Sequence, residues 1–160
     1  PKPPENASEQ SIVICRTSSM PGDERRLKWF LRLVGVADLL AIVAVFLPTE
    51  FLERAHETVG LGVLPQGRIV GYLARSTSLL YGIHGAMLLV IASDVGRYRS
   101  LIRWYGRVIT VAGLILVGVD VAESMPAWWI IFEGLAVVGI GVVILTLCHK
   151  DSANSSAQDE

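Results

Sequence analysis

Asp38, Arg75, His84, Asp120 and Glu133 are ionisable side chains within or at the edges of long apolar runs. A charge at the centre of a bilayer costs about 2.5 to 3.5 kcal/mol on insertion scales. Asp38, Arg75 and Glu133 together would therefore cost roughly 9 kcal/mol if they faced lipid. They are expected to face protein and to find partners. A rise of about 1.5 Å per helical residue gives their depths. Arg75, Glu133 and Asp120 come out in one outer layer, where the planar fork of the arginine could engage both carboxylates. Asp38 and His84 come out near the midplane, where they could pair with the imidazole as donor. Arg107, deeper than the other arginines of its flank, could serve Asp38 or extend its head to the inner headgroups, and the second is favoured.

Two chemistries follow. One is structural: Arg75–Glu133 and Asp38–His84 as pairs that fix helix register. The other is a path for a proton, an ion or a substrate, the usual role of ionisable groups inside a membrane. His84 is the side-chain type that changes charge between about pH 5 and 8, so Asp38–His84 could relay a proton. No cofactor is expected. Haem would need two histidines at matching depth, but His149 lies at the inner boundary and His56 outside the membrane. A metal held by Asp120, Glu123 and Glu133 would compete with Arg75 for the same carboxylates.

Four apolar runs must position these groups, at about 27–47, 69–92, 101–122 and 127–148. Each is near the ~20 residues that cross a bilayer. Pro48 ends the first, and Pro126 opens the fourth, where its missing N–H costs nothing. The fold class expected is an all-α membrane protein, a four-transmembrane-helix bundle. Residues 1–24 and 151–160 read as polar tails, the first disordered and without a stretch of signal-peptide length. Between the first two runs, Phe51, Leu52, Ala55 and Val59 share one helical face against Glu50, Glu53, Arg54 and Glu57 on the other. That pattern fits a short amphipathic helix at the interface, with Thr49 as its N-cap, or a helix covering the bundle end.

Arg75 and His84 are nine residues apart, about 180° around a helix, so the second span is expected to meet protein on two sides. Ser78, Gly82 and Ala86 form a small-residue stripe on it. Gly113 and Gly118 thin the third span, and Gly134, Gly139 and Gly141 the fourth. Arginines crowd the flank before the first run and the 97–103 segment, which by the positive-inside rule puts both termini in the cytoplasm. Trp29, Phe30, Tyr98, Trp104 and Tyr105 would form an inner aromatic belt, and Tyr72, Trp128 and Trp129 an outer one.

The totals are unremarkable beside this distribution. The chain is 52% hydrophobic with a net charge of −1. Its mean hydropathy is +0.51, because polar tails and a long outer loop dilute the apolar runs. The near-zero charge gives no field for nucleic acid, and the basic residues lie against the membrane boundary, nearer to anionic lipid. Cys15 and Cys148 form no metal-binding spacing and read as free thiols. Phosphate-binding loops, dinucleotide fingerprints, HExxH and GxSxG are all missing.

The segments Gly60–Pro65, Gly71–Ser76, Tyr81–Gly85 and Ser93–Arg99 resemble small four-helix inner-membrane proteins of uncharacterised function in marine and planctomycete-type bacteria. The resemblance runs from about Arg26 to Lys150. It implies a bacterial inner-membrane location and carries no activity, ligand or catalytic residue. The reading that follows is a non-catalytic accessory or scaffold subunit, acting through helix contacts with another membrane subunit or a second copy. The alternative is a small transporter or proton-coupled protein using the intramembrane charges.

Overall fold

A computed structural model describes residues 22–65 and 67–156, with side chains as far as His149. The N-terminal polar segment expected to be disordered and Cys15 fall largely or wholly outside these residues. Among the described residues the regular structure is helical: α1 (Gly22–Leu40), α2 (Val43–Phe46), α3 (Thr49–Thr58), α4 (Arg68–Ile91), α5 (Arg99–Ala122), α6 (Ala127–Ile130), a π-helical turn (Ile131–Leu135) and α7 (Ala136–Ser156). Four stretches are long and apolar enough to cross a membrane: Gly22–Phe46, Arg68–Ile91, Arg99–Ala122 and Ala127–His149. They are spans 1 to 4 below.

Spans 1 and 2 pack as one antiparallel pair and spans 3 and 4 as another; span 1 joins span 4. The backbones of spans 2 and 3 scarcely approach each other although a short loop connects them. In lipid there is no hydrophobic drive between helices, so close contact must come from small residues and hydrogen bonds. Both pairs use glycine for it. A Cβ at Gly85 would stand 2.5 Å from the Gly35 carbonyl oxygen and 2.5 Å from the Leu39 nitrogen. A Cβ at Gly113 would stand 2.6 Å from the Val138 nitrogen, and one at Gly141 would overlap Thr110. Gly82 rests on Ile42, whereas Gly118 and Gly139, also expected at close contacts, face open space.

The buried apolar core is confined to one end, here the base. It comprises Leu27, Leu31 and Val34 of span 1, Leu88 of span 2, Ala92 and Val95 of the following loop, Ile102 of span 3, and Ile144 and Cys148 of span 4. The Lys28 ammonium donates to the Ser93 carbonyl across this end at 3.3 Å. Toward the other end, the top, Asp120 is the one charged residue that is buried among those described.

Two spans depart from continuous α-helix, which the apolar runs did not foretell. In span 1 the Ala41 and Ile42 amides bond three residues back, to Asp38 and Leu39, each at 3.1 Å. This is a 3₁₀-type step between α1 and α2. In span 4 the π turn holds Glu133 and Gly134. The helix of span 4 also continues to Ser156, so the polar C-terminal segment begins helical.

At the top, α3 forms as its amphipathic pattern requires, but Pro48 is its N-cap. Thr49 lies inside the helix and makes no cap bond, a correction to its expected role. No residue of α3 is buried, and Phe51 and Val59 are exposed, so the bundle does not cover its apolar side. Gly60, with φ of 81°, closes α3: the Leu61 amide reaches back to the His56 carbonyl and the Gly60 amide to Glu57, a glycine helix stop. Ser124 fills the same place after span 3 with φ of 56°, and the Met125 amide reaches back to the Asp120 carbonyl at 2.9 Å.

Candidate functional site

The Gly35–Gly85 crossing brings spans 1 and 2 so close that the next residues round the helices, Asp38 and His84, meet directly. His84 Nδ1 lies 2.8 Å from Asp38 Oδ2. On its other side His84 Nε2 lies 2.8 Å from the Tyr105 hydroxyl of span 3. The two rings are tilted by 35°, with centroids 5.6 Å apart. One continuous hydrogen-bonded line, Asp38–His84–Tyr105, therefore runs through three spans and bridges the two helices whose backbones stay apart.

Hydrogen-bond chemistry sets the polarity of this line. An ionised Asp38 only accepts, so Nδ1 carries the hydrogen and donates to it. In the neutral imidazole Nε2 is then an acceptor, and Tyr105 donates its O–H. In the imidazolium both nitrogens donate, and the Tyr105 oxygen must accept. Protonation of one atom reverses the role of the hydroxyl on span 3.

The line is not sealed in a core. The His84 side chain keeps 35% of its surface and that of Asp38 22% free of protein contact. The 3₁₀ step follows Asp38 immediately, and such steps within helices commonly mark functional positions. Tyr81, one turn from His84, is within electrostatic range of both Asp38 and Glu133.

Glu133 and Asp120 form a second polar group nearer the top. Trp129, one turn before Glu133, and Asp120 of span 3 are both close enough to act on the Glu133 carboxylate electrostatically. Asp120 Oδ2 packs 3.2 Å from where a Gly134 Cβ would be, is buried, and has no hydrogen-bond partner. The π turn is what presents Glu133 and the bare Gly134 backbone to span 3.

Arg75 does not join this pair. Its Nη2 donates to the Leu47 carbonyl at 3.1 Å and to Thr49 Oγ1 at 3.3 Å. Pro48 ends span 1, and the helix end leaves carbonyls without intrahelical donors. Arg75, on the span packed against span 1, caps one of them, where the helix dipole also favours a cation. Among the described residues no ion pair links Arg75 to Asp120 or Glu133. Arg75 and His84 both reach span 1, the long arginine side chain making up for its position half a turn away. The expected cluster of three thus resolves into a carboxylate pair and a separate helix cap.

Other expectations sort in the same way. Tyr105 is turned inward to His84 and does not belong to the aromatic belt, while Trp29 and Trp104 are exposed. Arg107 does not reach Asp38; it lines a groove with Arg103, Leu145 and His149. Glu123 is exposed, and among the described residues no group of three or more His, Cys, Asp or Glu is placed to hold a metal ion.

The four apolar spans and their packing define an integral membrane protein with a four-helix bundle. Comparison with family models, curated proteins and solved structures finds no match.

Proposed function

We propose that this integral membrane protein is proton-coupled, with His84 as its protonation centre and Asp38 and Tyr105 as the partners that hold and read it. The observation that carries this reading is the Asp38–His84–Tyr105 line at 2.8 Å per step, part of it uncovered by protein. A pair serving only to fix the register of spans 1 and 2 needs no third member, whereas Nε2 is engaged by a hydroxyl of span 3. Here the imidazole keeps open surface beside two spans whose backbones stay apart. Uptake of a proton at Nε2 converts Tyr105 from donor to acceptor, which couples charge on span 2 to hydrogen bonding on span 3. Tyr81, Glu133 and Asp120 extend polar groups from this centre toward the top of the bundle. With the arginine-rich base in the cytoplasm of a bacterial cell, that top would face outward.

The test is proton flux into vesicles carrying the purified full chain and an internal pH dye. Wild type should exceed empty vesicles under an imposed pH gradient. His84→Gln should fall to the empty-vesicle rate while keeping its helicity and its detergent-solubilised size. Flux equal in wild type and H84Q would overturn the proposal.

A second reading, an accessory subunit working through helix contacts, is favoured by one observation. Among the described residues the buried apolar core lies at the base, leaving the upper halves of the spans to receive another helix. Cross-linking from Ile83→Cys or Phe132→Cys into a defined larger species, with no proton flux from wild type, would select it.

A further inference from the structure

At the base, Arg103 and Arg107 lie one turn apart on span 3, and Leu145 and His149 one turn apart on span 4. Together they line a groove of about 380 Å³ between the two spans. Among the described side chains its lining contains two guanidinium groups, one imidazole and one leucine. The groove is separate from the Asp38–His84–Tyr105 line and stands whether or not that line moves protons.

The level of the groove is marked by Trp104, 60% exposed, next to Arg103, and by Trp29, 65% exposed, on span 1. Exposed tryptophans at one end of a bundle sit at headgroup depth. Arg107 lies one turn, about 5.4 Å, deeper than Arg103. It is exposed and makes no ion pair with any described residue. A guanidinium at that depth needs an anion or must stretch back to the surface. Arg107 presents its planar fork one turn below the Arg103 guanidinium, and His149 lines the groove from the other span. That set of donors matches the oxygens of a phosphate. Basic pockets between membrane helices on the cytoplasmic side bind anionic lipid headgroups by the same chemistry.

We propose that the Arg103–Arg107–His149 groove binds the phosphate of an anionic phospholipid headgroup, with Arg107 as its deepest contact. The shared chemistry is a phosphate oxyanion, and inorganic phosphate is the competing source. The delipidated full chain would be titrated in detergent with phosphatidylglycerol, cardiolipin, phosphatidylcholine or inorganic phosphate, and bound species counted by native mass spectrometry. Wild type should prefer the two anionic lipids at least tenfold over phosphatidylcholine. Arg107→Gln should remove about tenfold of that preference, Arg107→Lys less, and H149Q a few-fold, with thermal stability of the apo protein unchanged. Equal retention of anionic and zwitterionic lipid would overturn the proposal, as would an R107Q variant that binds like wild type. Inorganic phosphate binding as tightly as phosphatidylglycerol would also overturn it, by assigning the groove to a free anion.

Discussion

Gly85→Ala should uncouple the polar line without touching any polar atom. The added methyl would lie 2.5 Å from the Gly35 carbonyl oxygen, 2.5 Å from the Leu39 nitrogen and 3.1 Å from the Asp38 carbonyl carbon. Ordinary contact begins near 3.5 Å, so spans 1 and 2 must part by about 1 Å. All three obstructing atoms are backbone, and no rotamer change can relieve them. His84 is the adjacent residue and its Nδ1–Asp38 distance is 2.8 Å. A displacement of about 1 Å takes that distance beyond hydrogen-bonding range. Overpacking of this kind costs about 1 to 3 kcal/mol. Loss of the Asp38–His84 bond adds roughly 1 kcal/mol or more. Against this, replacing glycine by alanine inside a helix gains about 0.5 to 1 kcal/mol. The net expectation is a loss of about 1 to 3.5 kcal/mol. Gly139→Ala is the control, because nothing stands within 4 Å of its added methyl, and it should be neutral or slightly stabilising. Reversible unfolding in mixed micelles, followed by helicity, measures both. Imidazole ¹⁵N shifts, recorded alongside, report whether His84 has lost its carboxylate partner. A Gly85→Ala protein as stable as the Gly139→Ala control, with unchanged imidazole shifts, would refute the close crossing and with it the positioning of Asp38 against His84.

Tyr105→Phe keeps the ring and removes one hydroxyl, so it should cost about 1 kcal/mol in micelle unfolding and shift the His84 Nε2 resonance while leaving Nδ1 on Asp38. Arg75→Gln should fray the end of span 1, seen as faster amide exchange in the residues ending at Leu47. A double-mutant cycle of Arg75→Gln with Glu133→Gln should be additive within about 0.5 kcal/mol, because the two side chains share no bond; a larger coupling would restore the outer ion pair. Asp120→Asn should be neutral or stabilising by about 1 kcal/mol, since a buried carboxylate oxygen without a donor is costly in its charged form. Ser124→Gly removes a left-handed side chain at the span 3–4 turn and should raise stability by a few tenths of a kcal/mol up to about 1.

The spans were legible because a bilayer makes a simple demand on length and polarity. Each of the four expected runs lies within a few residues of a helix that can cross. The meeting of Asp38 and His84 was legible for a related reason. Two polar side chains at matched depth on spans joined antiparallel have few other partners. Tyr105 was not, since tyrosine is at home at either interface and only the rotation of span 3 turns it inward. The close crossing at Gly35 and Gly85 was hidden by abundance: glycines thin every span, and sequence does not say which of them face backbone. The step at Ala41–Ile42 has no glycine or proline to announce it, and we find no local cause for it beyond its place beside the Asp38–His84 contact.

Arg75 shows where pairing charges by sign goes wrong in this solvent. In water a stray carbonyl is satisfied by solvent and seldom competes with a carboxylate for an arginine. In a bilayer every main-chain oxygen left by a helix end must find a donor from the protein. Pro48 creates such an oxygen at Leu47, on the helix already packed against span 2, and it takes the guanidinium that sign alone would give to Glu133. Glu133 and Asp120 are left near each other without it. The two irregular turns also fall beside carboxylates. Asp38 precedes the 3₁₀ step and Glu133 lies inside the π turn, so the intramembrane carboxylates of spans 1 and 4 both stand where the helical ladder is already interrupted.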